Sequence, residues 1–100
     1  MGKNTLIQKM LEVSTAHITY ETAKWLDRQV EETKENKMEL IVYEKGEYGA
    51  FIPLYPEMFA SKVLPESLVF IFGYAMGKGC SWIMLDRDIE IIDDLPTYNW

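Results

Sequence analysis

Two kinds of apolar spacing divide this sequence and limit the folds open to it. Residues 20–35 and 65–78 carry apolar side chains at three- and four-residue spacing, which predicts two helices. Short runs elsewhere alternate apolar with polar residues or are rich in β-branched and aromatic ones, which predicts strands. These runs are residues 11–18, 38–43, 48–55, 81–85 and 89–92. We therefore expect an α+β fold in the order β-α-β-β-α-β-β, with two helices packed on one side of a mainly antiparallel sheet.

Capping and turn residues support these boundaries. Thr19 suits the N-cap of the first helix, and Pro65 suits the first position of the second. Residues 44–47 (EKGE) have a turn composition that predicts a hairpin, and residues 86–88 (DRD) predict another between the last two runs. Pro53 lacks an amide proton, so we expect its strand to lie at an edge or to stop pairing there.

Composition indicates one domain, which we expect to span residues 1–100. A chain of 100 residues, 48% of them hydrophobic, has room for a single core. Cys80 is the only cysteine, so no disulfide can form within the chain. The longest apolar run, residues 68–76, is far shorter than the roughly 20 residues that span a bilayer, and no signal peptide is evident. These features favour the cytoplasm of a bacterial cell, without membrane attachment.

The charge balance argues against direct binding of nucleic acid. The sequence has 16 acidic and 10 basic residues, for a net charge of −6. Proteins that bind a phosphate backbone cluster Lys and Arg on one surface, and no such cluster occurs in this sequence. An acidic surface instead suits a partner protein that is itself basic.

Carboxylates concentrate near the end of the chain. Asp86, Asp88, Glu90, Asp93 and Asp94 fall within nine residues, without the glycine and closing glutamate of a calcium loop. One interpretation is a solvated hairpin turn. The other is an acidic surface that docks onto a basic groove of a nucleic-acid-binding protein. Other acidic residues enlarge that surface if the fold brings them close. They are Glu31, Glu32, Glu35, Glu44 and Glu47.

The second predicted helix is apolar on nearly every side. Phe70 and Tyr74 lie opposite its aliphatic face, with Gly73 and Gly77 between them. The helix is either buried on both sides or exposes a surface for a second copy of the chain or another partner. Trp25 lies to one side of the apolar stripe of the first helix, and we expect it to join Phe70 and Tyr74 as an apolar anchor.

No group of residues predicts catalysis, a metal or a cofactor. His17 is the only histidine, and its candidate nucleophiles are Ser14, Thr15 and Cys80. Neither a glycine-rich oxyanion loop nor a paired acid accompanies them. We therefore expect no enzymatic activity, with His17 packed at the start of the first helix. An enzyme that uses His17 with Ser14 or Cys80 is an alternative, and it requires a shared pocket.

Three segments resemble a family of small uncharacterised proteins of bacteria, plasmids and phages. They are STAHITYETAKWLD at residues 14–27, LPESL at 64–68 and LDRDIEIIDDLPTYNW at 85–100. The resemblance assigns no activity, so its motif positions carry no roles. These positions are Ser14, Thr15, His17, Trp25, Asp86, Asp88, Pro96, Tyr98 and Trp100. The resemblance implies an association with mobile genetic elements, sometimes near anti-restriction functions.

Acidity and this resemblance together lead to a hypothesis of inhibition. The chain would bind a basic host nuclease, such as a Cas nuclease, and occupy its nucleic-acid channel as an anti-CRISPR-like protein. The residues expected to bind the partner are Trp25, Glu31, Glu32, Glu35, Phe70, Tyr74, Asp86, Asp88, Asp93 and Asp94. The alternative is a homodimeric structural or regulatory module built on Phe70, Gly73, Tyr74 and Gly77. Tyr98 and Trp100 are expected to cover the edge of the core.

Overall fold

Four strands and two α-helices make up the described part of the chain, which in this computed structural model is residues 7–37, 40–46, 49–55, 57 and 64–99. The strands are β1 (Met10–Ser14), β2 (Tyr43–Lys45), β3 (Gly49–Pro53) and β4 (Trp82–Asp86). The helices are α1 (Tyr20–Lys34) and α2 (Glu66–Gly77), and a turn of 3-10 helix, Thr15–His17, lies between β1 and α1. The prediction of an α+β fold is confirmed.

The four strands form one mixed sheet in the order β1-β4-β3-β2. β4 pairs with β1 in parallel, and β3 is antiparallel to both β4 and β2. Asp86, at the end of β4, lies opposite Ser14 of β1 and Gly49 of β3. We call this end of the sheet, where β1 and β4 both finish, the carboxyl edge.

Both helices pack on one face of the sheet, as predicted. The strands contribute alternate buried residues to the core, and each helix contributes one stripe. From the strands these are Val13, Ala50, Ile52, Ile83 and Leu85, and from the helices Leu26, Val30, Leu68, Ile71, Phe72 and Ala75. A buried hydrogen bond of 2.8 Å between the hydroxyls of Thr22 and Ser67 links the two helices.

Local signals place the helices close to their predicted bounds. The Thr19 hydroxyl accepts from the Thr22 backbone nitrogen at 3.0 Å and caps α1. Asn36, with a φ of 62°, follows the end of that helix. Pro65 lies directly before α2 rather than at its first position. Its missing amide proton costs no hydrogen bond of the helix there.

The first two predicted strands are shorter than expected because side chains take their backbone bonds. β1 ends at Ser14, whose hydroxyl accepts from the Ala16 nitrogen at 3.1 Å and starts the 3-10 turn. Within the described part of the run at 38–43, strand begins at Tyr43, and β2 extends to Lys45. Before it, the amides of Leu40 and Val42 donate to side-chain oxygens of α1 instead of a neighbouring strand. Residues 38–39 lie outside the described residues.

The structure overturns one expectation about the later strands and decides between the two alternatives for the strand that contains Pro53. The run at 89–92 forms no strand, because β1 and β3 already occupy both sides of β4 and leave no edge for a second hairpin. β3 is not an edge strand, since it lies between β2 and β4. Pro53 is instead its last residue, in agreement with the other alternative, and a single further backbone bond, from the Leu54 nitrogen to the Ser81 carbonyl at 2.8 Å, follows it. Residues 47–48, in the predicted first hairpin, lie outside the described residues.

Candidate functional site

His17 ties the turn after β1 to the end of the chain. It is 1% exposed, its Nδ1 lies 2.7 Å from the carbonyl oxygen of Pro96, and its Nε2 lies 2.9 Å from the backbone nitrogen of Ile92. A carbonyl can only accept and an N–H can only donate, so Nδ1 carries the proton and Nε2 is the acceptor. The imidazole is therefore neutral and held in one tautomer. We call these two bonds the His17 clasp.

Further contacts fix the C-terminal segment, residues 87–99, beside this clasp. The backbone nitrogen of Tyr98 donates to the carbonyl of Ala16 over 2.9 Å, and that of Leu95 donates to Ile92 over 3.1 Å. Leu95 is buried in the core, and Ile92 packs against it. The segment has neither helix nor strand, yet its backbone is held at several points. Trp100, which was expected to cover the core edge with Tyr98, lies outside the described residues.

The C-terminal segment carries four exposed carboxylates within three residues of an exposed isoleucine in the sequence. Asp88, Glu90, Asp93 and Asp94 are exposed, and Ile91 is 56% exposed. Among the described residues, ion pairs join Lys34 to Glu31 and Lys45 to Asp86, and none involves these four carboxylates. We call the four carboxylates and Ile91 the acidic surface. An exposed apolar residue with a polar surround is the usual composition of a protein-binding surface.

Asp86 has a different environment from the acidic surface. Lys45 donates from Nζ to its Oδ2 at 2.7 Å, and the backbone nitrogen of Asp88 donates to its Oδ1 at 2.9 Å. The hydrogen bond from Lys45, followed by that from Asp88, holds the pKa of Asp86 below its ordinary value. Asp86 therefore shapes the turn that begins the C-terminal segment, and Lys45 matches its charge.

The acidic residues of α1 lie away from the acidic surface. α1 begins near the carboxyl edge and runs about 22 Å along its axis. Its last turns contact residues 40–42, which precede β2 and lie toward the end of the sheet opposite the carboxyl edge. There Glu31 pairs with Lys34 at 3.5 Å, and Glu32 accepts from Gln29 at 3.2 Å. Glu31, Glu32 and Glu35 thus form a second acidic region and do not enlarge the first.

The three predicted aromatic anchors differ in exposure. Trp25 and Tyr74 are half-buried and pack against the core, and the Lys78 ammonium lies 5.4 Å from the centre of the Tyr74 ring. Phe70 is 45% exposed on the outer side of α2. Gly73 and Gly77 are exposed on that helix, and a Cβ atom at either would meet no atom within 4 Å. The outer side of α2 is therefore open among the described residues.

The proposed nucleophile and base pairs are not assembled in this structure. Both ring nitrogens of His17 are bound to backbone groups, and the Ser14 hydroxyl caps the 3-10 turn. Cys80 is buried just before β4, at the end of the sheet opposite His17. No group of three or more His, Cys, Asp or Glu side chains is placed to hold a metal ion within the described ranges.

Sequence reasoning missed the second face of the sheet. Tyr43, Phe51, Trp82 and Met84 lie on the side opposite the helices, and the rings of Tyr43 and Trp82 are 6.3 Å apart. None of the four belongs to the core cluster. The signal in the sequence is the unbroken apolar run of residues 82–85 in β4, which places large apolar residues on both faces of the sheet.

A groove at the carboxyl edge was also missed. It has a volume of about 690 Å³ and lies between the first turns of α1 and the ends of the strands. Buried apolar residues form its floor, and Lys24, Arg87, Tyr20 and Tyr98 line its sides. No local motif predicts it, because its lining comes from five separate parts of the chain.

Comparison with known proteins finds one family. A family model described as the C-terminal domain of DUF5983, a family of unknown function, matches residues 10–100. No curated protein matches the chain, and neither does any solved structure. In the part of the chain that the structure describes, neither helix has the length and apolar character needed to cross a membrane.

Proposed function

This chain belongs to the DUF5983 family, whose function is unknown, and we propose that it is a binding protein without catalytic activity that docks onto a basic surface of a partner protein. The observation that carries this proposal is the acidic surface, in which exposed carboxylates flank Ile91 in the sequence on a segment held by the His17 clasp. The proposed location is the bacterial cytoplasm.

The His17 clasp gives the acidic surface an advantage over a free acidic tail. A free tail loses conformational freedom when it binds, and that loss opposes association. Here the bonds to His17 and the burial of Leu95 already restrict the backbone between residues 92 and 98. The carboxylates can therefore steer a basic partner into place, while Ile91 supplies apolar contact.

In its finer form, the proposal names the partner as a host defence nuclease. A nuclease channel is lined by Lys and Arg residues that bind phosphates, and carboxylates at Asp88, Asp93 and Asp94 would replace those phosphates. The net charge of −6 supports this form. The inhibitor would be encoded by a mobile genetic element and would resemble an anti-CRISPR protein in its mode of action.

The test compares two variants that lose the same charge. One is Asp88→Asn, Asp93→Asn and Asp94→Asn, and its control is Glu31→Gln, Glu32→Gln and Glu35→Gln in α1. Tagged proteins are used to capture partners from a bacterial lysate, at low and high salt, and captured nucleases are then purified. We expect the unmodified protein and the α1 variant to bind such a nuclease and inhibit its cleavage in a salt-sensitive manner. The first variant should do neither.

Two results contradict the proposal. If both variants inhibit the purified nuclease as well as the unmodified protein does, the acidic surface carries no binding. If the unmodified protein inhibits none of the nucleases it captures, the inhibitor form fails. Replacement of Ile91 by Ser leaves the charge unchanged, so any loss of binding in that variant measures the apolar contribution of Ile91 apart from that of the carboxylates.

The outer side of α2 supports a second candidate, a homodimeric structural or regulatory module. Val69 and Phe70 are exposed, and the neighbouring Gly73 and Gly77 leave space for close approach of another helix. Light scattering at high micromolar concentration tests it. A dimer that Phe70→Ser converts to a monomer supports the module, and a monomer for the unmodified protein contradicts it.

A further inference from the structure

We propose that the groove at the carboxyl edge binds a small organic anion with an apolar body. This site is separate from the acidic surface and does not depend on the protein partner proposed above. Its volume of about 690 Å³ lies in the range that binds small molecules. Its position outside the ends of two adjacent parallel strands is one where sheets with helical connections commonly hold ligands.

Small residues create the space. Ala16, Ala23, Gly49 and Ala50 line the groove from three elements of the fold, the 3-10 turn, α1 and β3. A Cβ atom on Gly49 would lie 2.5 Å from the carbonyl oxygen of Leu85, so β3 requires glycine there to pair closely with β4. Since none of these residues projects a long side chain, the groove stays open between α1 and the sheet.

The floor selects an apolar body. Ile18, Leu26, Ala50 and Leu85 line the groove and are buried. These side chains offer no hydrogen bond to a ligand. A hydrocarbon chain or aromatic ring on this floor would remove apolar surface from water, which is favourable.

The sides of the groove select an anionic group. Among the residues that the structure describes, the cations Lys24 and Arg87 line it together with the carboxylate Asp27. This balance is the reverse of that of the whole chain, which has more acidic than basic residues. Lys24 lies against Tyr20, with its Nζ 3.3 Å from the phenol oxygen and 5.2 Å from the ring centre. A carboxylate between Lys24 and Arg87 would receive charge-assisted hydrogen bonds.

The C-terminal segment contributes the remaining side. Tyr98 lines the groove, and its backbone nitrogen donates to the carbonyl of Ala16. Because the His17 clasp holds this same segment, the wall that Tyr98 forms is present before a ligand binds. The site is therefore preorganised and requires no closing movement.

The test is an NMR titration of the full chain with two anions and their neutral counterparts. The probes are indole-3-acetate and octanoate, and the controls are indole-3-acetamide and octanamide. We expect saturable shifts of groove amides such as those of Ala16, Lys24 and Ala50 with at least one anion, and about tenfold weaker binding of its amide. No saturation by either anion up to roughly 10 mM, or equal binding of the amide, would overturn the proposal.

Variants locate the binding. Lys24→Gln and Arg87→Gln should each lower the affinity for the anion by about tenfold. Lys34→Gln removes the same charge at the far end of α1 and should leave the affinity unchanged. Ala23→Leu fills the groove without changing charge and should abolish binding. If the anion binds equally to the Lys24, Arg87 and Lys34 variants, the groove is not the site. None of these outcomes depends on whether a nuclease is bound.

Discussion

α1 and the C-terminal segment are held in place in opposite ways. α1 is fixed by neighbours in sequence, since Thr19 caps the amide of Thr22 and the remaining bonds repeat along the helix. The C-terminal segment has no repeating pattern, and its bonds to His17 join residues 75 and 79 positions apart. Disturbing one turn of α1 leaves the other turns in place, whereas losing His17 removes two attachments at once. The proposed binding surface therefore depends on a side chain that is distant in sequence, whereas the helix depends on its own neighbouring residues.

This difference predicts unequal local stability. The amides of α1 that face the core are protected by hydrogen bonds within the helix and by packing of Leu26 and Val30. The amide of Ile92 depends on the imidazole, and that of Tyr98 depends on the turn that contains His17. We therefore expect the C-terminal segment to open without the rest of the core when the clasp is lost.

Of the substitutions that distinguish α1 from the C-terminal segment, His17→Ala should have the largest effect on stability. It creates a cavity and leaves the Ile92 amide and the Pro96 carbonyl without their partner, which together should lower the free energy of unfolding by about 3 kcal/mol. Urea unfolding measures the loss, and hydrogen exchange should show faster exchange at Ile92 and Tyr98 than in α1. Equal acceleration of hydrogen exchange in α1 and in the C-terminal segment would show that they unfold as one unit, which would contradict the difference between them.

Thr19→Ala should have a smaller and more local effect. It removes the N-cap of α1, which should lower the free energy of unfolding by about 1 kcal/mol. Hydrogen exchange should change in the first turn of α1, at residues such as Thr22, and not at Ile92. The nearby Thr15→Ala is a control outside the helix. An effect on Ile92 as large as that of His17→Ala would contradict the separation of the two regions.

Gly73→Ala should act in the opposite direction. Glycine inside a helix is unfavourable relative to alanine, and the added Cβ would meet no atom within 4 Å. We expect a gain of roughly 0.5–1 kcal/mol in the free energy of unfolding of α2, measured by urea at low protein concentration. A loss that grows with protein concentration would mean that another copy packs on α2, in favour of the homodimeric module.

Asp86→Asn should have the smallest effect and one that depends on pH. The bond from Lys45 lowers the pKa of Asp86 from 3.8, so its contribution to stability is full above that value and is lost as the pH falls through the lowered pKa. Thermal unfolding between pH 2 and 7 should show the unmodified protein and the variant converging at acid pH. Parallel curves would show that the pair with Lys45 contributes nothing. Glu31→Gln, on an exposed pair, is the control.

The helices could be predicted from adjacent residues, whereas the later strands depend on residues that are distant in sequence. Thr19 and Pro65 identified the starts of α1 and α2 because capping depends on adjacent residues. Residues 89–92 have a strand composition, but whether they pair depends on β4 having a free edge, and that follows from the position of β1 in the sheet. The shortening of β2 also follows from a contact between distant residues, since Gln29 and Thr33 of α1 accept from the preceding amides.

The candidate site was predictable in composition and not in arrangement. The carboxylates from Asp88 to Asp94 are close enough in the sequence to be recognised as a group, and they remain predicted binding residues. Their separation from Glu31 and Glu35 depends on the direction in which α1 runs across the sheet. Likewise, the segments that contain His17 and Pro96 are recognisable as motifs, but one sequence does not reveal that the two residues touch.

The tautomer of His17 is the most direct measure of how the C-terminal segment is attached. In ¹⁵N NMR spectra of the unmodified protein near neutral pH, the His17 clasp predicts a protonated Nδ1 whose proton exchanges slowly with water and an unprotonated Nε2. A proton on Nε2, or rapid averaging between the two nitrogens, would show that the imidazole does not join Pro96 and Ile92. The C-terminal segment would then lack the attachment on which the fixed acidic surface depends.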